Sequence, residues 1–158
     1  MPIVLCRIDN RLIHGQVATQ WMSSVNANLI VVANNRVAGD EFAQGLMDLA
    51  APSFCGTRYF SIEKTIEVMP KAGDDQRIAI ICESPEDVLK LVEGGVAITK
   101  VNIGNMHMAE GKRQVATVVC VNDADVAAFR ALQERGVELE IRKVPQEGTE
   151  NIEKLFKK

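Results

Sequence analysis

An alternation along the chain constrains the fold more than any other feature. Short aliphatic and β-branched runs recur at 2–8 (PIVLCRI), 29–33 (LIVVA), 57–61 (TRYFS), 77–82 (RIAIIC), 100–104 (KVNIG), 115–121 (VATVVCV) and 137–144 (VELEIRKV). Between most of them the apolar residues repeat with helical spacing, over 15–25, 40–50, 61–69, 84–93 and 123–135, with a short last helix near 150–157. Strands that are apolar throughout need cover on both faces, and intervening helices supply it. The pattern predicts an α/β fold: a mainly parallel sheet of about seven strands with helices on both faces. The run 137–144 alternates apolar and charged residues, as an edge strand at the C-terminal end would. No linker, repeat or low-complexity tract divides the 158 residues, so 1–158 reads as a single domain large enough to bury a core.

Local signals support the helices. Ser61 and Ser84 stand where caps belong, Pro85 follows at a first helical position, and Asn122 precedes DADVAAF. The glycines of EGG (93–95) and RGV (135–137) mark helix stops. Residues 104–114 (GNMHMAEGKRQ) break the alternation, because they leave no room for a crossover helix. They form either a long hairpin or a displayed loop, and displayed loops are where function concentrates.

Charge and composition remove several classes of function. A net charge of −3 without a basic stripe gives no footprint for nucleic acid or an anionic membrane. The apolar runs are too short to span a bilayer, so no membrane insertion is expected. The N-terminus MPIVLCRID lacks the basic and long apolar regions of a secretory signal. Cys6, Cys55, Cys82 and Cys120 form no C-x-x-C pair; all but Cys55 fall in apolar runs and read as small core residues. Such usage points to a reducing cytoplasm.

Chemistry concentrates in RIDNRLIHGQV, residues 7–17. The first strand runs toward Ile8, which puts 9–15 beyond its carboxyl end, where open α/β sheets bind ligands. A helix begins near Gly15, and its first free N–H groups, at Gly15 and Gln16, make an anion site. Arg7 and Arg11 add donors suited to phosphate oxygens. In such surroundings His14 is held neutral, as a nucleophile must be. Asp9 either orients the imidazole or tethers an arginine. The plainer alternative is that His14 merely begins a helix and the arginines are solvated. Other chemistries lack their residues. His14 and His107 lie far apart with no carboxylate cluster, so no metal is implied. G-x-S-x-G and G-x-x-x-x-G-K-[ST] are absent, and Asp74 and Asp75 precede their strand, the wrong end for a phosphoacceptor.

RIDNRLIHGQV resembles the start of the enzyme IIB components of the mannose/fructose/sorbose family of the bacterial phosphoenolpyruvate-dependent sugar phosphotransferase system. The likeness extends through QWMSSVNANLIVVAN (20–34), YFSIEKTIEVM (59–69), EGGV (93–96) and VNIGNMH (101–107), over essentially the whole chain, whose length is that of a free-standing IIB protein. The resemblance implies that His14 accepts a phosphoryl group from phosphohistidine of a IIA partner. It then passes that group to a sugar held by membrane-embedded IIC and IID subunits, without any cofactor. It also implies that Arg11 contacts the phosphoryl group and that Arg7 and Asp9 belong to the same loop. VNIGNMH looks more like the N-acetylgalactosamine and galactosamine members than the mannose ones, which points to an amino sugar. Asn105 and His107 stand as a second loop that either assists transfer or merely varies. Lys112 and Arg113 either meet an acidic partner or are solvated. Two other classes remain open: a regulatory module that binds a phosphorylated metabolite with the same loop, and a stand-alone phosphatase with a histidine nucleophile.

Overall fold

In a computed structural model that describes residues 2–157, the elements follow the alternation closely. Six strands make one sheet: β1 (Ile3–Asp9), β2 (Leu29–Ala33), β3 (Gly56–Phe60), β4 (Ile78–Cys82), β5 (Lys100–Asn105) and β8 (Glu138–Ile141). Their order is β3-β2-β4-β1-β5-β8 and every pairing is parallel. The helices are α1 (Gly15–Val25), α2 (Glu41–Ala50), α3 (Ile62–Val68), α4 (Pro85–Glu93) and α5 (Asp123–Glu134). The short last helix expected near 150–157 is a 3-10 helix at Ile152–Phe156.

Side chains alternate across the strands, so neighbours in sequence feed two different cores. Leu5, Ile30, Val32, Ala79 and Ile81 face α1, where Ala18, Trp21 and Met22 close over them. Cys6, Ile8, Val31, Ile80, Val101 and Ile103 face the other way, under Ile62, Val88, Leu91, Phe129 and Leu132 of α3, α4 and α5. The connections explain this division. Those moving from β1 to β2 to β3 carry α1 and α2 to one face. Those returning through β4 to β5 and β8 carry the other three helices to the opposite face, as a right-handed crossover requires.

One expected strand is different. The run 115–121 is not a seventh strand of the sheet, because it breaks at Thr117–Val118 into β6 (Arg113–Ala116) and β7 (Val119–Val121), an antiparallel hairpin of its own. β8 already occupies the edge beside β5, which leaves the hairpin no place in the main ladder. Residues 106–112 therefore form a displayed loop that runs into this hairpin, its start tied by a bridge between Met106 and Val119 and by the His107 amide on Asn10. The caps are as expected. Ser61 accepts from the Lys64 amide at 3.0 Å, Ser84 accepts from the Asp87 amide at 3.2 Å, and Asn122 and Asp125 form a reciprocal capping box. Asp40, unremarked in the sequence reading, caps α2 through the Ala43 amide at 3.1 Å.

Candidate functional site

β1 and β5 are parallel neighbours, so their carboxyl ends deliver Asp9 and Asn105 side by side. After Asp9 the chain turns sharply. Leu12 takes a left-handed conformation (φ 63°), which is uncommon for a branched residue, and its amide donates to the Asp9 carbonyl at 2.9 Å. Leu12 and Ile13 bury their side chains in the α1-side core and pin the turn. His14 then occupies the N-cap of α1 in an extended conformation, and its side chain makes no capping bond. Gly15, with φ 50°, opens the helix, and Gly15 and Gln16 are both exposed. The first turn of α1 thus meets solvent beside a half-buried imidazole, the arrangement that favours an anion.

Beneath this loop lies a buried charge network centred on Asp9. Its carboxylate is 1% exposed and accepts from both arginines. Arg11 grips it through Nε at 3.0 Å, Nη2 at 3.1 Å and its own backbone amide at 3.0 Å. Arg7 reaches it through Nη2 at 3.2 Å, while Nη1 donates to Asn102 Oδ1 at 2.6 Å and to the Arg142 carbonyl at 3.3 Å. The Arg7 guanidinium lies over the Trp21 ring, 5.3 Å from its centroid, and Trp21 Nε1 donates to the Lys143 carbonyl at 2.9 Å. Gly104 forms the opposite wall. A Cβ there would overlap the guanidinium carbon and both terminal nitrogens of Arg7, so any side chain at this position would push Arg7 out of its place.

The two arginines therefore differ in kind. Arg11 is 37% exposed and its guanidinium lies at the surface, tethered by Asp9. Arg7 is 3% exposed and both of its terminal nitrogens are engaged, which puts it in the layer beneath Arg11, where it bonds Asp9 from below. Asp9, whose role the sequence left open, tethers both arginines. Burial pulls the Arg7 pKa down, and the Asp9 charge opposes that pull. His14 lies below the usual histidine range. Burial is the largest cause, Asp9 opposes it, and Arg11 and then Arg7 reinforce it, with the Leu12 backbone acting against them. The imidazole thus favours its neutral form near pH 7.

The second loop does come to the first. The Asn10 amide donates to the Asn105 carbonyl at 3.1 Å, Asn105 Nδ2 donates to Asn10 Oδ1 at 2.5 Å, and the His107 amide donates to the same oxygen at 3.3 Å. The His107 side chain is exposed. Lys112 and Arg113 turn instead toward α5, pairing with Asp125 at 3.1 Å and Asp123 at 3.3 Å. Sequence reasoning missed Asn10, Trp21, Asn102, Gly104 and Arg142. Asn102 did carry a signal, as a polar residue inside an apolar run, but the carbonyl of Arg142 carried none. Among the described residues no cluster of histidine, cysteine or acidic side chains could hold a metal.

Fold and site together define an α/β domain that presents one histidine and one arginine at the carboxyl end of its first strand, on a buried ionic platform. The family described as "PTS system sorbose subfamily IIB component" matches over residues 3–158, and the chain belongs to it. It is 48% identical over 151 residues to the N-acetylgalactosamine-specific phosphotransferase enzyme IIB component 1 of Escherichia coli K12, covering 95% of this chain and 96% of that protein. A crystal structure of the Escherichia coli N-acetylgalactosamine-specific IIB component 1 superposes with a TM-score of 0.91 at 47% identity, covering 94% and 98% of the two chains. The IIB domain of the Klebsiella pneumoniae sorbose permease superposes with a TM-score of 0.92 at 38% identity, covering 99% and 96%. No helix among the described residues is long and apolar enough to cross a membrane.

Proposed function

We propose that this IIB component is a phosphocarrier that works through His14. The neutral imidazole attacks the phosphorus of phosphohistidine on a IIA partner, forming a new P–N bond as the old one breaks. The donor ring keeps the electron pair of that bond and takes up the proton that the His14 ring gives up on phosphorylation. In the second transfer a sugar hydroxyl held by IIC and IID attacks the same phosphorus, and its proton goes to the departing His14 ring, which is left neutral again. Arg11 and the free amides of Gly15 and Gln16 neutralise the phosphoryl oxygens, while Arg7 and Asp9 hold Arg11 in place. The observation that carries this reading is the half-buried imidazole at the N-cap of α1, making no capping bond, held below the usual histidine range and next to a surface arginine.

Cysteine offers no competing acceptor at this loop. Cys6 and Cys82 are buried, and burial pushes the Cys6 thiol up to about 12 and the Cys82 thiol well above its ordinary value. The names of its relatives lean toward an amino sugar as final acceptor, since identity is 48% and 45% to two N-acetylgalactosamine-specific proteins, against 44% to a mannose-specific and 39% to a sorbose-specific one.

The test is incubation with labelled phosphoenolpyruvate, the general phosphotransferase proteins and a cognate IIA. Wild type should acquire an acid-labile, base-stable phosphate that His14→Gln does not, and Arg11→Ala should acquire it slowly. An unlabelled wild type would refute the carrier role and leave the metabolite-binding module as the reading to pursue. Vesicles bearing IIC and IID, supplied with N-acetylgalactosamine, mannose or sorbose, then identify the sugar.

A further inference from the structure

The helix α2 carries an apolar arc wider than its contact with the core. Its inner side, with Met47 and Ala50, packs on the core beside α1. Its outer side carries Phe42, Leu46 and Leu49, at the spacing of one helical stripe, and none of its residues is fully buried. Phe42 is 78% exposed and Leu49 85%, with Leu46 and, in the loop after the helix, Phe54 about half exposed. The remaining polar side chains do not dilute this surface. Gln44 is spent on the Val37 and Ala38 carbonyls, and Asp48 accepts from Tyr59 at 2.6 Å and Thr57 at 2.7 Å. An apolar flank of this size is ordinarily covered, and among the described residues nothing covers it.

A second observation points to what covers it. Gly45 lies in the same stripe, three residues after Phe42 and four before Leu49. It is exposed, and a Cβ there would meet nothing within 4 Å. Within one chain this glycine only weakens the helix, since no turn, close approach or positive φ requires it. A close approach by another helix would require it.

We propose that two copies of this chain associate through α2, antiparallel across a twofold axis between Gly45 and Leu46. In that register Gly45 of each copy faces Gly45 of the other, which lets the two backbones approach, and Phe42 of each packs on the other's Leu49. The surface is self-complementary, as an isologous contact must be. Antiparallel pairing also separates the acidic ends, Asp40 and Glu41, which a parallel pair would bring together. The four exposed apolar side chains present roughly 500 Å² per copy, given the size of such side chains. Complete burial of these side chains in a symmetric pair would remove about 1,000 Å², the area at which a specific interface begins. Because α2 runs antiparallel to its strands, the two His14 loops open in opposite directions and neither is blocked.

Sedimentation velocity from about 1 to about 100 μM should show a monomer–dimer equilibrium for the full chain. Leu46→Gln should shift it toward monomer by at least about tenfold in Kd. Gly45→Gln should do the same while raising the thermal midpoint of the dilute monomer, because a better helix former replaces glycine on a free surface. That opposite pair of effects separates a contact from a simple folding defect, and unchanged far-ultraviolet circular dichroism confirms that both variants fold. A wild type that stays monomeric to the highest concentration overturns the proposal. So does a dimer whose affinity neither variant changes, and so does an α2 stripe needed only for transfer from IIA by a monomer.

Discussion

Replacing Asp9 by asparagine removes one negative charge from the centre of the site and leaves the shape almost unchanged. The carboxylate accepts four hydrogen bonds, one from Arg7 and three from Arg11. An amide keeps one accepting oxygen and turns an NH₂ group toward donors that cannot accept. Arg7, 3% exposed, would then be a buried cation without its anion. Removing one member of a buried pair costs about 3–5 kcal/mol. Arg7 keeps Asn102, the Arg142 carbonyl and the Trp21 face, so the low end, about 3 kcal/mol, is expected. With a urea slope of about 2 kcal/mol per molar, the unfolding midpoint should fall by about 1.5 M. A second readout is independent of stability. Because Asp9 holds the His14 pKa up, its loss should move that pKa further down, as NMR titration of the imidazole would detect. A midpoint within about 0.5 M of wild type, or a His14 titration that moves up, would refute the view that Asp9 anchors the platform.

Three further outcomes follow from the same geometry. Gly104→Ala should destabilise by about 1–3 kcal/mol in urea unfolding, as overpacking does, and the effect should shrink in an Arg7→Met background that removes the overlapped group. Equal costs in both backgrounds would show that the glycine serves some other contact. A His14 pKa lowered by folding means that the unfolded chain binds the proton more readily, so its contribution is present above about pH 6.5 and lost as pH falls through the folded pKa. Stability of wild type should therefore decline more steeply than that of His14→Gln as pH falls below about 6.5, and parallel profiles would contradict the shift. In the native protein a thiol reagent should reach the half-buried Cys55 first, whereas Cys6, Cys82 and Cys120 should react only as the chain unfolds; a second fast thiol would be incompatible with this burial.

Much of the fold was legible because burial in a two-sided parallel sheet leaves a coarse imprint. Five runs became sheet strands close to their expected bounds, and VELEIRKV did form an edge, because alternating charge suits a strand with one open side. The run at 115–121 misled because β-branched residues favour extended backbone without saying which ladder they join. Only the edge position of β8 excludes this run from the sheet, and that is a property of the whole topology. The site divided in the same way. His14, Arg11 and the helix start were local in sequence and could be read together. Arg7 was adjacent in sequence yet belongs to a different layer, because strand alternation and Gly104 draw its guanidinium inward. Its partners Asn102 and Arg142 lie 95 and 135 residues away, beyond the reach of any local pattern.

That layering bears on how one small site could serve two partners. A carrier that meets a donor protein and then a membrane-bound acceptor cannot enclose its phosphoryl group within a deep pocket, so it forgoes the low dielectric by which enclosed sites strengthen their charges. Here the low dielectric lies one layer lower. Arg7, Asp9 and Asn102 are each buried, and their mutual bonds fix the Asp9 carboxylate, which in turn fixes the half-exposed Arg11 by two side-chain bonds. An arginine held in this way loses little rotamer freedom when an anion arrives, and it needs no partner protein to orient it. Replacing Arg7 should therefore act mainly through Arg11. On the carrier reading, Arg7→Met should slow phosphoryl acceptance about as much as Arg11→Ala does, and the double variant should be little worse than either alone. Fully additive losses would mean that the buried arginine acts on the phosphoryl group by some other route.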